Sequence, residues 1–140
     1  MSPDLALQKG LLDHLRADAG LQALLGDPPR IHDELPEARV YPYVALGRSE
    51  TRPWGGLEGE GVEHVLTLTC ASRFSGAEEV KAVAAALRAA LHGAAFPLDS
   101  HRLVNLRVTY ADVFRSPDYR PVLGVVRVRA VTEPLEGDSA

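Results

Sequence analysis

Cysteine, lysine and tryptophan are scarce in this sequence of 140 residues. The single cysteine, Cys70, excludes an internal disulfide and says little about redox compartment. The only lysines are Lys9 and Lys81, so positive charge rests on arginine. With abundant Ala, Gly, Leu and Pro, that bias suggests a GC-rich genome, which concerns the source and not the function. No apolar run approaches the roughly 20 residues that span a bilayer. The start, Met1-Ser2-Pro3-Asp4, lacks the basic opening and apolar core of a secretory signal, so nothing in it directs the chain out of the cell that makes it. A basic surplus is missing as well. Fifteen Lys and Arg stand against 19 Asp and Glu, a net charge of -4. Tight nucleic-acid binding draws on phosphate neutralisation, so this balance argues against it.

What is present suits a globular domain. The hydrophobic fraction is 46% and the charged fraction 24%. A chain of this size buries roughly two thirds of its unfolded surface without disulfide or metal staples. We expect a single domain over residues 1–134 and a frayed tail over 135–140.

Apolar periodicity divides the chain. A first helix is expected from about Pro3 to Ala17, capped by Ser2, with Pro3 in the first turn where its missing N–H costs nothing. Leu7, Leu11, Leu12 and Leu15 form its stripe, and Gly20 suits its stop. A short helical turn, Leu21 to Leu25, follows and ends at Gly26-Asp27-Pro28-Pro29. Arg30 to Glu37 reads as an ordered loop around Ile31 and Leu35. Val40 to Ser49 reads as a strand that starts late or lies at an edge, because Pro42 cannot donate to a ladder. Glu50 to Gly61 is dense in glycine and polar residues and reads as a mobile loop or hairpin arm.

Val62 to Ser72 is the clearest strand, alternating His64, Leu66, Leu68 and Cys70 with Glu63, Val65, Thr67 and Thr69. Ser75-Gly76-Ala77-Glu78 has the form of a capping box. The helix it opens carries Val80, Val83, Ala84, Leu87 and Leu91 on one face and ends at Gly93. Leu103 to Phe114 places Val104, Leu106, Val108 and Tyr110 on one face. Val122 to Thr132 alternates Val126, Val128 and Ala130 with Arg127 and Arg129. These two strands should form a hairpin around Arg115 to Pro121. The fold class is therefore α+β: an antiparallel or mixed sheet of about four strands, with two main helices packed on one face.

Each catalytic candidate has a structural competitor. The histidines are His14, His32, His64, His92 and His101. None makes a helical His-x-x-x-His pair or a cluster with zinc-like spacing. His32-Asp33-Glu34 is the best local metal candidate, but three consecutive side chains converge poorly on one ion. Cys70 and His64 share a strand face roughly 20 Å apart at about 3.3 Å per residue. A nucleophile and its base need hydrogen-bond reach, so Cys70 reads as a small core residue. The Gly55 to Gly61 glycines lack a phosphate-loop register and precede a strand, so no helix dipole backs them. We expect no catalytic residue, cofactor or metal. A small ligand-binding or regulatory domain is the competing reading, and a hydrolase built on His32 and Asp33 a third.

Recognition of other proteins is the better-supported role. Trp54, with Arg52 and Leu57, either folds back on its own domain or anchors a partner, since Trp and Arg dominate interface hot spots. Arg115, Tyr119 and Arg120 at the hairpin tip carry the same two readings. Arg107, Arg127 and Arg129 are either solvated or face acidic residues of a neighbouring subunit.

The layout as a whole resembles a known family. A leucine-rich helix leads to Arg30-Ile31-His32-Asp33 and Pro42-Tyr43-Val44-Ala45-Leu46-Gly47. A long strand precedes Ser75-Gly76-Ala77-Glu78 and an Ala-rich helix, then Leu103-Val104 and a hairpin ending in Arg129-Ala130-Val131. Over about residues 5 to 133 this order is similar to the tail-completion, or tail-terminator, family of long-tailed phages and gene transfer agents. The resemblance implies an α+β fold, no catalysis and a homo-oligomer, a six-membered ring. It also implies two protein partners, the tail tube protein and the head–tail connector or stopper. It places the chain in a virion or phage-like particle assembled in the bacterial cytoplasm, with DNA passing through unbound and no membrane contact. It carries over no individual binding residue.

Overall fold

In the computed structural model, Ser2 begins the first helix by accepting the Leu5 N–H on its Oγ at 3.2 Å. The structure describes residues 1–55, 60–73, 77–116 and 121–135. Helix α1 runs Pro3–Arg16, with Leu7, Leu11, Leu12 and Leu15 buried on one stripe. It ends before the expected Gly20 stop. Asp18 caps a second helix, α2, over Ala19–Leu25 by accepting the Leu21 N–H at 3.0 Å, and Gly20 lies inside that helix. The local side-chain bond of Asp18 to a free helical N–H sets the break, a job aspartate does well. Gly26 closes α2 with a positive φ of 95°, which glycine adopts without strain.

The segment read as a loop around Ile31 and Leu35 forms a two-residue strand instead, β1, Ile31–His32. It pairs in parallel with Val44 and Ala45. Ile31 is buried, whereas Leu35 is exposed. Strand β2, Tyr43–Trp54, begins one residue after Pro42, as a residue without an N–H requires. It runs on through Glu50 to Trp54 against β3, Gly61–Ser72, so these two strands form the hairpin arm; residues 56–59 lie outside the described residues. Helix α3 is Ala77–Leu91, burying Val80, Val83, Ala84, Leu87 and Leu91. Ser75 and Gly76 of the expected capping box lie outside the described residues. Strands β4, His101–Arg115, and β5, Val122–Pro134, make the closing hairpin.

Among the described residues, five strands form one mixed sheet in the order β1-β2-β3-β5-β4. The three helices pack on one face, where Leu66, Leu68, Val126, Val128 and Ala130 meet the leucines of α1, α2 and α3. At Gly124 an added β-carbon would sit 2.6 Å from Cys70 Sγ and 3.0 Å from Val80 Cγ1, so helix and sheet approach where no side chain intervenes. Leu135 is tied to the fold, its N–H donating to Ser100 O at 3.2 Å. The rest of the expected frayed tail, 136–140, lies outside the described residues.

Two bulges correct the expected alternation of β4. Its register to β5 slips between Leu103 and Asn105 and again between Val108 and Tyr110. Each extra residue turns the following side chains to the opposite face. Leu106 and Val108 stay buried under the helices, but Val104 and Tyr110 are exposed. Tyr110 pairs with Arg127 and so stands on the face away from the helices.

Candidate functional site

The helices leave the opposite sheet face free, and its side chains follow from the strand register. Glu63, near the arm end of the middle strand β3, sits between β2 and β5. Arg52 on β2 pairs directly with Glu63, and Arg129 on β5 stands two residues along from Val131, which pairs with Glu63 on the other side. Arg52 Nε donates to Glu63 Oε1, and Arg129 Nε donates to Oε2 at 2.6 Å. Both carboxylate oxygens thus carry charge-assisted bonds, and Glu63 is only 7% exposed. The bond from Arg52, then that from Arg129, holds the Glu63 carboxyl below the usual carboxylate range. Next to this clamp, Arg127 lies over the Tyr110 ring, its guanidinium carbon 5.1 Å from the centroid. Arg102 pairs with Glu133 at the same end. Tyr43, Ala45 and Ala71 form a small apolar cluster at the other end, with Tyr41 and Leu123 packed against it.

The described sequence-based interface residues fall at opposite ends of the sheet, Arg52 and Trp54 on the free face and Arg115 paired with core Val122. Arg52 and Trp54 lie on the β2–β3 arm, with Trp54 43% exposed. The Trp54 ring rests over Gly61, where a β-carbon would meet its Cε3 at 3.2 Å and its carbonyl oxygen at 2.7 Å. One side of Trp54 thus folds on its own arm, and much of the rest stays exposed. Arg115 ends β4 and is exposed. It pairs with Val122, ten residues along β5 from Thr132, which lies level with the arm. At about 3.3 Å per residue the two patches stand roughly 33 Å apart. Leu57, Tyr119 and Arg120 lie outside the described residues.

The histidines serve the fold. His14 bonds Ala90 O through Nε2 at 2.8 Å and stacks on Phe96. His92 Nδ1 accepts the Val108 N–H at 3.1 Å. His101 Nδ1 bonds Asp99 O at 2.9 Å. His64 is fully buried, with Nε2 bonded to Thr132 Oγ1 at 2.8 Å. Burial lowers its pKa, with Asp4 opposing the shift. His32 ends β1 half-buried and Asp33 begins the exposed stretch after it, and among the described residues no three metal-binding side chains converge. Burial pushes the Cys70 thiol up to about 11, far from the thiolate a nucleophile needs.

Glu63 and Tyr110 escaped sequence reasoning. The polar side of β3 marks Glu63 only as a non-core position, because its two arginines arrive from other strands. Tyr110 looked like core because an unbroken alternation would put it there.

The comparisons agree with this architecture. No curated protein matches the chain. A chain of the virion of a native gene transfer agent particle shares 30% identity, with a TM-score of 0.85, over 95% of this chain and 99% of that one. The gp17 protein of bacteriophage SPP1 has the same fold, with a TM-score of 0.59 at 17% identity over 98% of this chain and 94% of the other. The family model described as tail completion protein gp17 matches residues 9–133, nearly the whole sequence, and the chain therefore belongs to the tail completion protein family.

Proposed function

We propose that the protein is a non-enzymatic tail terminator. It assembles as a ring on the head-facing end of a tail tube, stops the tube from growing and offers the head connector a seat. The carrying observation is the 30% identity to a chain of a gene transfer agent virion along almost the full length of both. The layout of the molecule supports the reading. Among the described residues most apolar side chains are absorbed by the helix–sheet core, and a sheet face, an arm and the strand edges remain exposed. A closed ring needs two different complementary patches per subunit, and opposite ends or edges of a sheet supply them. The six-membered ring, the tube protein and the connector as partners, and the particle as location belong to this proposal. So do Arg52, Trp54 and Arg115 as contact residues. A net charge of -4 suits a passage that DNA crosses without sticking.

Adding the purified protein to polymerising tube subunits tests this. Growth should stop, with one ring visible at a tube end. Tubes that elongate unchanged in its presence would remove the proposal.

A further inference from the structure

Two surfaces at opposite edges of the sheet carry opposite charge, and each includes exposed apolar side chains. On one edge, the eight residues after β1, from Asp33 to Val40, are all exposed. They hold Asp33, Glu34 and Glu37 against one cation, Arg39, and they leave Leu35 42% and Val40 59% exposed. Among the described residues, none of these three carboxylates has an ion-pair partner. At the other edge, β4 and β5 turn Arg107, Arg127 and Tyr110 outward, with Tyr110 46% exposed. Arg107 and Arg127 likewise have no carboxylate partner among the described residues, and Arg107 stands directly opposite Arg129. Two carboxylates stand near them, and both are engaged: Asp112 accepts the Val113 N–H and the Tyr110 hydroxyl, and Glu63 is bonded by Arg52 and Arg129.

The register places the two surfaces at similar height. Ala45, which pairs with His32, is level with Thr69, then Val125, then Asp112. Arg127 lies two residues along β5 from Val125, a displacement of about 7 Å, within reach of an eight-residue segment. In a head-to-tail ring, one edge of each subunit faces the opposite edge of the next.

We infer that the acidic Asp33–Val40 segment of one copy docks on the outward face of β4 and β5 of the next copy. Its carboxylates meet Arg107 and Arg127, and Leu35 and Val40 cover Tyr110. Charge complementarity at opposite edges of the same chain selects a second copy as the occupant. Like charges on identical edges disfavour a two-fold pair and favour head-to-tail closure. The inference rests on the ring reading above and names the contact that closes it.

The test is a charge swap, read by electron microscopy of tube ends and by copies of the protein per particle. Asp33→Arg with Glu37→Arg, or Arg107→Glu with Arg127→Glu, should each lower incorporation at least tenfold while the purified variants melt within a few degrees of wild type. The chain carrying all four changes should recover most of the incorporation. As a second readout, Glu34→Cys combined with Arg127→Cys should give a ladder of oxidised oligomers in assembled particles. Either single-cysteine variant should not, since Cys70 is buried. Wild-type incorporation by both reversal variants would overturn the inference. So would a four-fold variant that melts like wild type and fails to incorporate, or a double-cysteine variant that stays monomeric when oxidised in rings. A wild-type protein that forms no ring would overturn the ring reading itself.

Discussion

Arg129 Nε donates to Glu63 Oε2 at 2.6 Å across β5 and β3, while Arg52 takes the other carboxylate oxygen from β2. One carboxylate thereby fastens the arm strand to the centre of the sheet. The arginines hold the Glu63 pKa below that of a free glutamate. A carboxyl lowered in the folded state stabilises the fold above its unfolded pKa, and that contribution disappears as pH falls through the folded value. Glu63→Gln should lower the melting temperature at pH 7. It should also flatten the loss of stability between pH 5 and pH 3 relative to wild type, as followed by circular dichroism. Identical pH profiles for the two proteins would show that the clamp contributes nothing.

A second pH dependence comes from His64, whose pKa is lowered by burial under the helices. The unfolded chain takes a proton near pH 6.5 while the folded chain resists it, so stability should fall as pH drops below that value, with a slope of at most one proton. His64→Leu should lose less stability between pH 7 and pH 5 than wild type does. Denaturant titrations at the two pH values measure the difference.

Gly124 lies where sheet and helix α3 touch. Gly124→Ala pushes a β-carbon to 2.6 Å from Cys70 Sγ and should destabilise by about 1–3 kcal/mol, the usual cost of overpacking. Cys70→Ala removes the obstructing sulfur. The double variant should be more stable than the sum of the single effects, a coupling of at least about 0.5 kcal/mol in a double-mutant cycle.

Trp54 is packed on one side and open on the other, so folding and assembly should separate there. Trp54→Ala should change stability by about 1 kcal/mol or less. It should reduce incorporation into particles about thirtyfold, the scale of a 2 kcal/mol hot spot. Quantitative blotting of purified particles against the soluble pool provides the ratio.

Legibility in the sequence followed how local each signal is. Ser2, the Leu7-Leu11-Leu15 stripe and the alternation of His64, Leu66, Leu68 and Cys70 each act within a few residues, and the corresponding elements stand as read. Pro42 fixed the late start of β2 because a missing N–H is a local fact. Ile31–His32 gave no such signal: two residues cannot show a period, and their strand exists only because Val44 and Ala45 lie beside them. The end of α1 near Ala17 stands, but Gly20 was given the stop because the Asp18 cap of α2 was not weighed.

The candidate surfaces were less legible than the core. The two β4 bulges carry no glycine or proline to mark them, so Val104 and Tyr110 looked inward from sequence alone. Glu63 became important only when β2 and β5 brought arginines to it. The exposure of Arg52 and Trp54 was readable because an aromatic in a glycine-rich, polar segment has few apolar neighbours close in sequence. The distance between them and Arg115 required the register.

The most direct measurement is the length and attachment of tails in lysates of a strain lacking this gene, scored by electron microscopy. The account predicts tails of uncontrolled length, or heads and tails left unjoined, with normal particles restored when the gene is returned. Particles of normal length with heads attached, in the gene's absence, would contradict it.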